Sequence, residues 1–117
     1  MGDDMIVDRV RSETTHRPGR SLNQARSNHF VIDSSSGSPE AMTSIEAFLA
    51  GISSCGVNIV HREAEARGLR DVRAVLDIEA RRKKADTATL AGVDLTFVIT
   101  GASQAQADEL VALYTRR

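Results

Sequence analysis

The apolar positions of this chain change period along its length, and the changes mark its elements. The longest helical pattern runs through Ile45, Phe48, Leu49, Ile52, Cys55 and Ile59, a three-and-four spacing held over roughly four turns. Thr43-Ser-Ile-Glu46 stands at its start and fits a capping box, in which a hydroxyl and a carboxylate each take a backbone N–H that the helix end leaves unpaired. At the other end Gly68 can adopt the left-handed conformation that closes a helix, and Leu69 can supply the accompanying hydrophobic contact. Together these signals predict a helix near residues 44 to 67.

Downstream the period falls to two. Val72, Ala74, Leu76, Ile78 and Ala80 alternate with Arg73, Asp77 and Glu79, and a second alternation follows at Val93, Leu95, Phe97 and Ile99, so the two runs are expected to pair as an antiparallel hairpin. Gly101-Ala-Ser103 marks a break with an N-cap candidate, after which Ala107, Leu110, Val111 and Tyr114 predict a second amphipathic helix to the chain end. Upstream the signals are weaker. Ile6, Val7 and Val10 suggest a short first strand, and Phe30-Val-Ile32 suggests another before the break Asp33-Ser-Ser-Ser-Gly-Ser-Pro39. Between them, Arg11 to Asn28 is polar with a turn at Pro18-Gly19. The order strand, strand, long helix, two strands, helix is that of an α+β fold in one domain spanning 1–117; it has neither βαβ repetition nor a glycine-rich phosphate loop.

The long helix also carries apolar residues off its main face, at Ala47, Ala50, Val57 and Val60. A helix apolar on more than one side is normally buried all round. One small sheet cannot cover it, so a second copy of the chain is the economical cover and a homodimer is expected.

Composition changes this picture little. The chain has 117 residues, enough for one real core; with 3% aromatic residues and no Trp, that core must be aliphatic. Fifteen basic against sixteen acidic residues leave a formal net charge of -1, so no global field draws the chain to nucleic acid or to an anionic membrane. Arg81-Arg-Lys-Lys84 falls at the hairpin connection without aromatic neighbours and reads as solvated charge. One cysteine, with neither a leader pattern nor a long apolar stretch, points to the cytoplasm. His16, His29 and His61 do not combine with one another or with Cys55 at any metal-ligand spacing, so neither a metal nor a cofactor is expected.

The stretch Thr43-Ser-Ile-Glu-Ala-Phe-Leu-Ala-Gly-Ile-Ser-Ser-Cys-Gly56 resembles the central-helix signature of the OsmC family, the osmotically induced protein and organic hydroperoxide resistance group. Ser27-Asn-His-Phe-Val-Ile-Asp33 resembles that family's strand before the helix, and Ala64-Glu-Ala-Arg-Gly-Leu69 its helix exit; the likeness covers roughly residues 25 to 117. The resemblance implies an intertwined homodimer with the long helices at its centre. It also implies a thiol peroxidase that reduces small organic hydroperoxides with two cysteines. Carried over to this chain, it makes Cys55 the peroxidatic nucleophile and Glu46 the carboxylate that holds a catalytic arginine, which would come from among Arg9, Arg11, Arg17, Arg20 and Arg26. The family's second cysteine usually falls just beyond the position of Arg117. An external thiol reductant, or a thiol further along a longer chain, is therefore expected to complete turnover. An amphipathic helix running into Arg116-Arg117 without a closing strand favours the longer chain.

Each of these residues also has a plain structural reading. A peroxidatic cysteine must ionise and is left as a sulfenic acid, whereas free cysteine is also a common small core hydrophobe. Cys55 sits mid-helix, away from the field of a helix terminus, so activation would need an arginine from elsewhere. Glu46 is the last residue of the capping box and could serve only there; nine residues of helix put it roughly 13 Å from Cys55 along the axis. His61 lies about 120° around the helix from Cys55 and reads as a surface histidine. The rival function is a non-catalytic dimer that binds an apolar small molecule, with Cys55 an inert core thiol. An arginine within hydrogen-bond reach of the sulfur would separate the two.

Overall fold

The computed structural model describes residues 4–34 and 40–115, and they gather into two compact units, Met1–Phe48 and Leu49–Arg117. The break at 35–39 and the closing Arg116-Arg117 lie outside the described residues.

The first unit is built on an antiparallel sheet of three strands, β1 (Arg11–Thr14), β2 (Arg20–Ala25) and β3 (Asn28–Asp33), in the order β1-β2-β3. β3 and the turn at Pro18-Gly19 stand where the sequence put them. The strand expected at Ile6 to Val10 does not: those residues are unpaired, with Ile6 92% exposed. The register explains this. Arg11 faces Gln24, so only Val10 would still meet β2, at its last residue Ala25, and everything before it would fall opposite the turn where Arg26 takes φ 55° and the partner strand has ended. The polar stretch expected as a loop instead supplies β1 and β2. Polar side chains reinforce their ladder: Ser12 Oγ on β1 donates to Asn23 Oδ1 on β2 at 2.6 Å, and the buried Asn23 amide donates to Ser21 Oγ within β2 and to the Phe30 carbonyl of β3, both at 3.2 Å. Such a pair satisfies its buried amide without any apolar alternation.

Helix α1 (Ser44–Ala66) starts in the first unit and continues into the second. Its capping box is formed, with the Glu46 N–H donating to Thr43 Oγ1 at 3.2 Å and the Thr43 N–H to Glu46 Oε1 at 2.8 Å. Its end is a Schellman motif: Gly68, at φ 77°, donates to the Glu65 carbonyl at 3.0 Å, and Leu69 donates to the Ala64 carbonyl at 2.9 Å.

The second unit pairs β4 (Arg73–Arg81) with β5 (Gly92–Thr100) as the expected hairpin, Leu76 facing Phe97 and Ile78 facing Leu95. Helix α2 (Gln104–Thr115) follows Ser103, whose hydroxyl accepts the Gln106 N–H at 3.2 Å. The core of this unit is Val60, Ala64, Val72 and Leu110, with Leu69, Ala74, Phe97 and Ile99 packed against it. The buried face of α1 therefore runs through Gly56, Ile59, Val60 and Ala64. Val60, placed off the main face by the sequence pattern, is fully buried, whereas Phe48 and Cys55, placed on it, are exposed. Small residues explain the rotation, since Gly56 and Ala64 let neighbouring elements approach the helix where larger side chains would hold them off. No helix among the described residues is long and apolar enough to cross a membrane.

Candidate functional site around the single cysteine

Cys55 lies in the middle of α1 with its thiol exposed. Side chains on a helix lean towards its N-terminus, over the residue four positions back, and for Cys55 that residue is Gly51. Among the described residues nothing lies within 4 Å of where a Gly51 Cβ would stand, so space is open on the side towards which the thiol leans. The next residue, Gly56, is the reverse case. A Cβ there would come within 2.8 Å of Leu76 Cδ2 and 3.2 Å of the Tyr114 ring. Tyr114 itself donates a long hydrogen bond, 3.4 Å, to the Ile52 carbonyl and meets Phe97 edge to face, with centroids 5.6 Å apart. The turn carrying Cys55 is thus open on one side and held by α2 and β4 on the other.

Glu46 makes the capping bonds already described, and among the described residues it forms no ion pair with an arginine. Two of the five candidate arginines are engaged by carboxylates in the first unit. Arg20 holds the buried Asp33 through Nε at 2.6 Å and through a second nitrogen at 2.9 Å, and also reaches Glu40 at 3.3 Å; Arg17 meets Glu40 at 3.1 Å. The guanidinium hydrogen bonds, helped by the Ala41 N–H, lower the Asp33 carboxyl from 3.8 to about 2 against the opposing effect of burial, and Asp33 raises Arg20 in turn. Arg20 also borders a cavity of about 240 Å³ with Ser21, Ile32, Ser34 and Ser44.

His61 is exposed and lies 3.6 Å from Glu65 one turn on, the surface placement its angle around the helix implied. A second cleft, of about 390 Å³, lies by the exit of α1 between His61, Glu65, Arg70 and Asp71, and Cys55 is not among its walls. At the hairpin tip Arg81 pairs with Asp94, and Arg82 donates to the Thr87 carbonyl. Among the described residues no group of three or more His, Cys, Asp or Glu side chains could hold a metal.

Residues 36–117 match the sequence profile of the OsmC-like proteins. The chain belongs to the OsmC-like protein family. Solved structures share its fold. The OsmC-like protein of Mycoplasma pneumoniae superposes with a TM-score of 0.83 at 13% identity, over 96% of this chain and 82% of that one. The organic hydroperoxide resistance protein OsmC of Legionella pneumophila gives 0.69 at 19% identity, over 96% and 84%. The organic hydroperoxide resistance protein OhrB of Bacillus subtilis gives 0.64 at 13%, over 95% and 84%. At these identities the likeness is one of fold. No curated protein matches the sequence. The α+β OsmC-like fold expected from the Thr43–Cys55 signature is the fold observed, with that signature opening α1 at its capping box and reaching the exposed thiol.

Two features of this OsmC-like chain escaped the sequence reading. The Arg20–Asp33 pair joins residues thirteen apart that face each other across β2 and β3, and a strand pairing is what would have disclosed it. The Tyr114–Gly56 contact joins residues far apart in sequence; its one local sign is a glycine inside a helical pattern, which commonly marks a close approach.

Proposed function

We propose that this OsmC-like protein is a thiol-dependent peroxidase that reduces small organic hydroperoxides, with Cys55 as the nucleophile. The observation that carries this reading is the exposure of Cys55 at the cysteine position of the family signature: within its own fold the thiol is not packed as a core hydrophobe. The names of the Legionella and Bacillus proteins, both organic hydroperoxide resistance proteins, support the substrate class.

The chemistry balances with one cysteine and an outside reductant. The Cys55 thiolate attacks the terminal peroxide oxygen, an S–O bond forms as the O–O bond breaks, and the alkoxide leaves and takes a proton to become the alcohol. A thiol then displaces water from the sulfenic acid to give a mixed disulfide, and a second thiol releases Cys55, so two reductant thiols become one disulfide per peroxide. Glu46 has a part in the same reading: with Oε1 accepting the Thr43 N–H, its other oxygen is left to orient an arginine towards the reacting thiol. A homodimer completes it, covering apolar surface of α1 and shaping the pocket for the organic group of the substrate.

The test is direct because the sequence has one cysteine. Cumene hydroperoxide should convert Cys55 to a sulfenic acid trapped by dimedone, faster than it oxidises free cysteine at neutral pH, and peroxide consumption without added thiol should stop near one equivalent per chain. Reaction no faster than free cysteine would favour a non-catalytic binding role. Sustained turnover without thiol would show that another group resolves Cys55.

A further inference from the structure

The contact between Tyr114 and the turn that bears Cys55 has a chemical consequence. A short polar side chain within a helix can turn back to bond the carbonyl three or four residues earlier, which for Cys55 means Ile52 or Gly51. A carbonyl oxygen has two lone pairs. That of Ile52 takes the Gly56 N–H in the helical ladder and the Tyr114 hydroxyl at 3.4 Å, so both are engaged. Gly56 makes this possible, because only a residue without a Cβ lets the Tyr114 ring lie so close to the helix backbone. The Phe97 ring, edge to face with Tyr114, holds that ring from the other side.

We propose that Tyr114 is a positioning residue for Cys55: its ring on Gly56 and its hydroxyl on the Ile52 carbonyl fix the turn of α1 that carries the thiol and withhold that carbonyl from the S–H. This deepens the proposed function, taking Cys55 as the reacting thiol. A hydrogen bond donated by the S–H stabilises the neutral form and opposes ionisation; with the Ile52 carbonyl engaged, only the Gly51 carbonyl remains open to it. Tyr114 acts through the helix backbone and is not itself catalytic.

The experiment measures alkylation of Cys55 by iodoacetamide against pH in the full chain, by mass spectrometry, for the unaltered protein and for Tyr114→Phe, Gly56→Ala and Val72→Ala. Tyr114→Phe keeps the ring and removes only the hydroxyl. It should slow alkylation at pH 7 about three- to fivefold, the value of one weak hydrogen bond, with the curve displaced to higher pH and the rates converging in strong alkali. Gly56→Ala puts a methyl 2.8 Å from Leu76 Cδ2 and 3.2 Å from the Tyr114 ring, which must shift the ring, and the already long hydroxyl bond with it, by a few tenths of an ångström, and should move the curve the same way by a smaller amount. Val72→Ala weakens the same core from outside α2 and should leave the curve of the folded protein in place. A Tyr114→Phe curve superimposed on that of the unaltered protein, or an equal displacement in Val72→Ala, would overturn the proposal. Alkylation involves no peroxide, so a Tyr114-dependent curve in a protein inert to cumene hydroperoxide would uphold the positioning role and remove the peroxidase reading.

Discussion

Asp33 shows how a single side chain can tie acid sensitivity to one loop exit. It is buried at the end of β3, accepts two bonds from Arg20 and one from the Ala41 N–H, and is lowered to about 2 chiefly by the Arg20 hydrogen bonds. A carboxyl depressed in the folded state contributes stability that is full above its unfolded value near 3.8 and is lost as pH falls through about 2. Unfolding followed by circular dichroism should therefore weaken between pH 4 and 2 in the unaltered protein. Asp33→Asn should be less stable at pH 7, since it leaves Arg20 without its buried partner, and flatter across that acid interval. An unchanged acid limb in Asp33→Asn would assign the acid response to other groups. At this scale the sequence was readable where a residue belongs to a local motif. Thr43 and Glu46 are three apart and announce their cap, and Cys55 stands out as the lone cysteine at a family position. Pairings across the fold left no local sign, and so none of the five N-terminal arginines could be singled out.

Elements were legible in proportion to their apolar periodicity. Helix α1, the β4–β5 hairpin and α2 each alternate or repeat strongly, with α1 capped at both ends and α2 at its start; α1 and the hairpin formed within a residue or two of their expected bounds, and α2 begins directly after the expected break, the end of its expected run lying outside the described residues. β1 and β2 were missed because the side chains that tie them, Ser12 on β1 and Asn23 on β2, are polar, and periodicity of apolar residues cannot report a polar ladder. Connections between elements set their own glycine requirements. Gly101, between β5 and α2, has φ 85°, and a Cβ there would collide with the Asp71 backbone carbonyl oxygen; Gly68, at the end of α1, has φ 77°, and among the described residues nothing lies within 4 Å of such a Cβ. Gly68→Ala thus meets only the left-handed strain, of about 1 kcal/mol, whereas Gly101→Ala adds a clash with fixed backbone and should cost about 3 kcal/mol. Melting temperatures should fall roughly 4 °C and roughly 12 °C respectively. Equal losses would mean that the chain around Asp71 yields easily.

On the scale of the whole molecule, the apolar surface of the second unit argues for a partner. One face of the hairpin is apolar along its full length, with Ala74, Leu76, Ile78 and Ala80 on β4 beside Val93, Leu95, Phe97 and Ile99 on β5. Ala74, Phe97 and Ile99 lie against the core of their own unit, but at the far end Leu95 remains 39% exposed and Val93 37%. Full burial of side chains of this kind is worth about 1.5–3 kcal/mol each, and a monomer in water would forgo it. Soluble chains seldom leave contiguous apolar surface of this sort without a binding role, and the self-complementary contact of a two-fold dimer is the commonest way to cover it. We therefore expect sedimentation at micromolar concentration to give a dimer that persists on dilution. Leu95→Lys and Val93→Lys, which place charges on this surface at exposed positions, should shift the equilibrium towards monomer by tenfold or more, at about 1.4 kcal/mol per decade, while the far-ultraviolet spectrum of the fold is kept. A chain that sediments as a monomer at these concentrations would remove the dimer, and with it the interfacial pocket in the proposed function, while leaving the reactivity of Cys55 to be judged by its own chemistry.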